Sequence, residues 1–201
     1  MRRWKRLETV GGPRFVSELD PHEAEVLKNM ATSVQEMLDH RQSTAPTDPL
    51  EALTGIRTGN PAPPQDDTMR RLLPDFVKEQ PDTGAGGGAS DGAAKDGVAN
   101  GALRSLHEPA IIDAKIVAVQ RLMDTLPAGG GRVELTVDDA QAWIAAVNDI
   151  RLALGTILGV GPESPDRLPA GHPMAAHLEV YQWLTGLQEY LVLGLLGKPI
   201  R

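Results

Sequence analysis

The amino-acid sequence predicts a mainly α protein: a helical domain around one central buried helix, with a small N-terminal β-hairpin and one further short strand. Three observations carry this expectation. Thr136 to Gly159 holds apolar residues at helical spacing on more than one face. Segments 20–41, 109–126 and 173–196 show the same period, the first opened by an Asp-Pro start signal. Only residues 3–18 and 132–135 read as strands.

In the central segment Thr136 is placed to cap the helix, and Asp139 completes a reciprocal box in which each side chain satisfies an orphan backbone N–H. Asp138 and Asp139 add negative charge where the helix dipole favours it. At about 100° per residue, Ala140, Trp143, Ile144, Val147, Ile150, Leu154, Ile157 and Leu158 gather into one stripe. Leu152 points the opposite way, so neighbours should pack on more than one side. Arg151 falls inside the stripe and Asn148 at its edge. A guanidinium there needs a partner, since leaving it buried and unpaired costs roughly 3–5 kcal/mol. Two outcomes follow: a structural ion-pair or hydrogen-bond network, or a pocket for an anion or a partner's carboxylate. His177 and Gln188, on or near the stripe of the last helix, are candidates to join such a network.

Taken in order, residues 3–9 and 13–18 flank Val10-Gly11-Gly12, whose glycines can supply positive φ for a hairpin. Trp4, Phe15 and Val16 give it apolar contacts. Arg2, Arg3, Lys5, Arg6 and Arg14 make its exposed side basic, suited either to phosphate contact or to a solvated edge strand whose charges block edge-to-edge pairing. Asp20-Pro21-His22-Glu23 is a helix start, and Val26 or Leu27, Met30, Ala31, Val34, Met37 and Leu38 share one face as far as Arg41. Residues 42–68 are connector, with a short helix from Asp48-Pro49 to Gly55; another runs from Thr68 to Leu73.

The stretch 79–100 is rich in Gly, Ala, Asp and Ser and is expected to be a disordered insert in an otherwise single domain over 1–201, because it buries too little apolar area to offset its ordering entropy. A short helical piece should precede Pro109, and a longer helix should follow to Leu126 with Ile112, Ile116, Val119, Met123 and Leu126 buried. Arg132 to Leu135 could add a third strand to the hairpin. The last helix carries Val180, Leu184, Leu187, Leu191 and Leu195, and its apolar end YLVLGLL is either deeply buried or part of a homodimer interface.

Composition narrows the function. With 201 residues, net charge −7 and no cysteine, the chain is not basic overall as a nucleic-acid coat protein would be, and no disulfide or thiolate metal site can form. No apolar run approaches the ~20 residues of a membrane span, and the start lacks a signal peptide's apolar core, so a cytoplasmic location is expected. The five histidines include no HExxH pair, and no nucleophile elbow, Walker motif or dinucleotide fingerprint occurs. Neither an enzyme nor a cofactor is expected. The residues point to an interaction or regulatory protein.

The strings RRWKR, GPRF, DPHEAEVLKN, DPLEALTGIRTGN, RRLLPDF, ALRSLHEPAIIDAK, WIAAVNDIRLALGT and YQWLTGLQEYL resemble the actinobacterial AosR-like family of oxidative-stress transcriptional regulators, over nearly the whole chain outside about 79–100. The resemblance implies a cytoplasmic regulator that works with an extracytoplasmic-function type sigma factor or RNA polymerase. It also implies support of cysteine-biosynthesis genes under oxidative stress; from the residues themselves, promoter DNA would be touched at most through the basic hairpin. That family's redox response is associated with a close cysteine pair near the N-terminus. Here Trp4, Lys5, Arg6, Leu7 and Glu8 occupy that stretch, so this chain has no thiol switch of its own. The alternative is a self-associating helical adaptor without DNA contact.

Overall fold

The structure, a computed structural model, describes residues 4–46, 51, 54–77, 89–165, 167–169 and 171–198, with side chains from Asp96 onward in the segment that begins at Ala89. Its elements in chain order are β1 (Lys5–Thr9), β2 (Gly12–Leu19), α1 (Pro21–Ser43), α2 (Asp67–Leu72), α3 (Ala89–Thr125), β3 (Gly131–Leu135), α4 (Val137–Leu158) and α5 (Ala175–Leu195). The protein is mainly α with one small sheet, as the sequence predicts. It divides into two compact units, 1–36 with 115–201 and 37–114, whose boundaries fall inside α1 and α3.

In the first unit the strands form an antiparallel sheet in the order β1-β2-β3, so the expected third strand does join the hairpin. The register sets Arg6 opposite Phe15, Phe15 opposite Leu135 and Ser17 opposite Val133. Because side chains alternate along each strand, Trp4, Phe15, Ser17, Leu19, Val133 and Leu135 share the buried face. Trp4 meets Trp143 of α4 edge-on, with centroids 5.7 Å apart and planes at 78°. Such a pair adds about 0.5–1.5 kcal/mol beyond the area it buries. The Trp143 indole N–H donates to Thr125 Oγ1 at 2.7 Å, so this large core residue leaves no polar atom orphaned.

α1 and α4 start on reciprocal boxes, whereas α5 opens at Met174 without a side-chain cap. Asp20 Oδ1 accepts from the Glu23 N–H at 2.8 Å while Glu23 accepts from the Asp20 N–H at 3.0 Å. Thr136 and Asp139 repeat the device at α4, which ends at Gly159 with φ 63°, a left-handed cap. Along α4 the buried set is Ala140, Trp143, Ala146, Val147, Ile150, Ala153 and Leu154, with the charged Asp139 and Asp149 among them. Ile157, expected in the stripe, is 65% exposed: in the last turn of α4, Tyr181 packs against Gly155, while Ile157 faces solvent.

α4 packs along α5, which buries Leu178, Leu184, Leu187, Leu191 and Gly194. Gly194 lets α5 approach the sheet as well: a Cβ there would stand 3.2 Å from the Phe15 ring of β2. The apolar end of α5 is therefore buried on one face only, and Val192 and Leu196 remain exposed.

The second unit departs further from expectation. Residues 47–50 and 52–53 of the expected 48–55 helix lie outside the described residues, though the Gly55 N–H does donate to Glu51 O at 2.8 Å with φ 69° at the glycine. α2 opens one residue earlier than expected because Asp66 caps it, accepting from the Met69 N–H. Of the expected disordered insert, 79–88 lies outside the described residues, whereas 89–100 is the opening of α3. Its alanines carry high intrinsic helix propensity, and the Asn100 side chain ties it down by bonding both the N–H and the carbonyl of Val77.

The expected break at Pro109 is also absent. α3 passes through it as one helix of 37 residues. Proline removes one ladder bond and crowds the carbonyl four residues back. That carbonyl, Ser105 O, instead accepts from the Gly59 N–H at 2.7 Å. Gly59 lies so close to the proline ring that an added Cβ would be 2.9 Å from Cδ. The buried positions of the later part of α3 are Ala118, Val119 and Leu122, while the expected Ile116, Met123 and Leu126 are half-buried.

Thr136→Ala removes the side-chain half of the α4 box and should lower the unfolding free energy by about 1 kcal/mol in urea titrations. Burial alone would push the Asp139 carboxyl up, but hydrogen bonds from the Thr136 hydroxyl and N–H, together with Arg121, hold it below the usual carboxylate range. A carboxyl lowered on folding contributes stability that is present above its unfolded value, near ~4, and is lost as pH falls through the folded value. The stability gap between the wild type and Asp139→Asn should therefore be constant from neutral pH to about 5 and shrink in acid.

Candidate functional site

The basic hairpin is not a uniformly positive face. Arg2 and Arg3 lie outside the described residues. By register Lys5 and Arg14 stand on the outer face of the sheet with Glu18, Arg132 and Glu134. Arg14 approaches Glu134 to 3.9 Å, and Arg132 pairs with the same carboxylate at 2.8 Å. Arg6 shares the inward side with Trp4; its guanidinium reaches Glu8 at 2.8 Å and the Gly194 carbonyl at 3.2 Å. Three of the five predicted contact residues are thus placed, and two of those three have carboxylate neighbours.

The polar network around Arg151 forms in part. Its Nε donates to Thr185 Oγ1 at 3.0 Å, Nη1 donates to Gln188 Oε1 at 2.5 Å, and the guanidinium lies 5.3 Å from the Tyr181 ring centre. Gln188 in turn donates to Ile144 O at 3.4 Å. All these partners are neutral, which suffices because Arg151 is only half-buried and keeps contact with water. Asn148 makes no side-chain hydrogen bond among the described residues, and His177 is exposed on the first turn of α5. His177, expected on or near the stripe of the last helix, does not join the network, because the buried stripe of α5 begins at the next residue, Leu178.

The most deeply buried charges lie in the second unit, where sequence reasoning did not place them. Arg104 is 1% exposed and Glu108 2%. They sit one helical turn apart on α3, and Arg104 Nη1 donates to Glu108 Oε2 at 2.6 Å and to Leu73 O at 3.2 Å. Its Nη2 donates to Asp75 at 2.6 Å. Arg41, near the end of α1, donates from Nε to the other Glu108 oxygen at 2.7 Å and from Nη2 to Ala62 O at 2.5 Å. One carboxylate therefore serves two guanidiniums. Beside it Arg57 pairs with Asp113, which also accepts from Gln42 at 3.1 Å. The signal available in the sequence was the Arg104–Glu108 spacing, but i,i+4 pairs ordinarily lie on solvated faces. Tertiary packing put this one inside.

The first unit holds two further pairs. Lys115 Nζ donates to Asp149 at 2.6 Å and Arg121 Nε to Asp139 at 2.5 Å. Burial pushes the Asp149 carboxyl above the usual range, against the opposing pull of Lys115. Among the described residues no group of three or more His, Asp or Glu converges as a metal site, and no helix is long and apolar enough to cross a membrane.

Fold and polar groups together define a small mainly α protein with a three-stranded sheet and a buried arginine–glutamate centre. Residues 1–195 match the model of a domain of unknown function, DUF2017. Proteins called oxidative stress regulator AosR in Mycobacterium bovis and in Mycobacterium tuberculosis strain H37Rv are each 59% identical over 198 residues, covering 98% of this chain and 89% of theirs. A Mycobacterium leprae relative is 54% identical over 203 residues, with the same coverage of both chains. The chain belongs to this AosR-like branch of the DUF2017 family. No solved structure matches it.

Glu108→Ala leaves Arg41 and Arg104 facing each other without their shared anion, and should destabilise the protein by about 3–5 kcal/mol. Replacing all three buried charges by apolar residues of similar size, Arg41→Met and Arg104→Met with Glu108→Leu, should recover much of that loss. Chemical denaturation of the two variants against the wild type measures both effects.

Proposed function

We propose that this protein is a non-enzymatic regulator of the oxidative-stress response that acts through a sigma factor or RNA polymerase and supports expression of cysteine-biosynthesis genes. One observation carries the reading: 59% identity, across 98% of the chain, to proteins called oxidative stress regulators. The buried charges support a non-enzymatic role, because Glu108 is held by the guanidiniums of both Arg104 and Arg41, as in structural networks. With no cysteine in the chain, the oxidant signal reaches it through a partner rather than through a disulfide of its own.

Affinity capture of the tagged full chain from native extract, with and without peroxide, tests this reading by mass spectrometry. Enrichment of a sigma factor or polymerase subunits is expected. Recovery of the bait alone would count against it and favour the self-associating adaptor, a reading supported by the exposed Val192 and Leu196 on α5 and tested by sedimentation across micromolar concentrations.

Promoter contact, where it occurs, is assigned to Arg2, Arg3, Lys5, Arg6 and Arg14. Reversing the charges of Arg2, Arg3 and Lys5 should weaken DNA binding and flatten its salt dependence, by roughly one unit of slope per lost phosphate contact. Unchanged binding would remove DNA contact from the proposal.

A further inference from the structure

We infer that a cavity beside Pro109 in the second unit binds a small organic carboxylate. Its volume is about 190 Å³, and Arg41, Glu51, Arg57, Asn60, Pro109 and Ile112 are among the residues that line it. A cavity of roughly 150 Å³ already takes up a molecule the size of benzene, so the space suits about six to eight heavy atoms.

Two guanidiniums border it, and each is held rigidly from behind. Arg41 is fixed by Glu108 and by the Ala62 and Asn60 carbonyls; Arg57 is fixed by Asp113 and the Pro109 carbonyl. These bonds use Nε and Nη2 of Arg41 and Nη2 of Arg57. Nη1 of Arg41, with Nε and Nη1 of Arg57, has no acceptor among the described residues. Planar guanidinium edges match the two oxygens of a carboxylate, and donors already immobilised lose little entropy on binding. The opposite character of the wall, formed by Pro109 and Ile112, selects an organic body over a bare inorganic ion. Glu51 adds a carboxylate that would welcome an ammonium group on the same ligand. The inference is independent of the regulator reading.

Nuclear magnetic resonance titration of the full ¹⁵N-labelled chain tests it, with succinate, L-alanine and inorganic phosphate as probes at matched ionic strength. Saturable shifts of the Thr58, Gly59 and Asn60 amides by succinate or L-alanine are expected, the two distinguishing a dicarboxylic from an amino-acid ligand. The Arg57 side chain is 45% exposed, so Arg57→Gln should fold and should weaken binding at least tenfold. Arg57→Lys, which keeps the charge and loses the fork, should fall between, and Arg151→Gln, in the other unit, should bind as the wild type does. Absence of saturable shifts with both carboxylates, equal response to phosphate, or undiminished binding by Arg57→Gln would each overturn the assignment.

Discussion

The bond from the Gly59 N–H to Ser105 O is the constraint on which the second unit depends. A proline in a helix interior leaves a carbonyl without its donor, and burying that oxygen unpaired would cost on the order of 1–3 kcal/mol. The loop supplies the missing donor, and only a glycine can bring its backbone so near the ring. Because α3 continues through Pro109, Arg104 and Glu108 before the proline and Asp113 after it belong to one rigid element. Arg41 then meets Glu108, and Arg57 meets Asp113, on that one helix. The cavity beside Pro109 has its shape for the same reason.

Charge is handled differently in the two units. In the second, Arg104 and Glu108 are almost fully buried, and every strong group has a countercharge or a carbonyl at hydrogen-bonding distance. In the first, Arg151 is only half-buried, and hydroxyl, amide and aromatic partners suffice. The contrast follows from desolvation: the cost of stripping water from a guanidinium rises steeply with burial, and neutral dipoles offset only part of it. Asp149 lies between these cases, since its lysine partner does not fully offset burial and the carboxyl titrates high.

Without a cysteine, the chain has no disulfide chemistry of its own. The surfaces described here offer two kinds of contact: a sheet face of mixed charge and a helix end with exposed Val192 and Leu196. Neither has the reactive thiolate that would make the chain its own sensor. The link to oxidative stress rests on the names of the relatives, while the polar interior accounts for how the chain holds its shape.

Sequence alone determined the elements whose causes are local. Asp20-Pro21-His22-Glu23 and Thr136 with Asp139 announce capped helices because a cap is made within four residues. Val10-Gly11-Gly12 announces the hairpin, and the alternation at Arg132–Leu135 its third strand, for equally local reasons. The family strings were legible in the same way.

Tertiary structure decided whatever depended on distant partners. It carried α3 through Pro109, since the donor for Ser105 lies 46 residues earlier in the chain. It buried Arg104 and Glu108, left His177 in solvent, and gave Arg151 neutral partners from α5. Helical spacing states which residues share a face; only packing states whether that face meets protein or water.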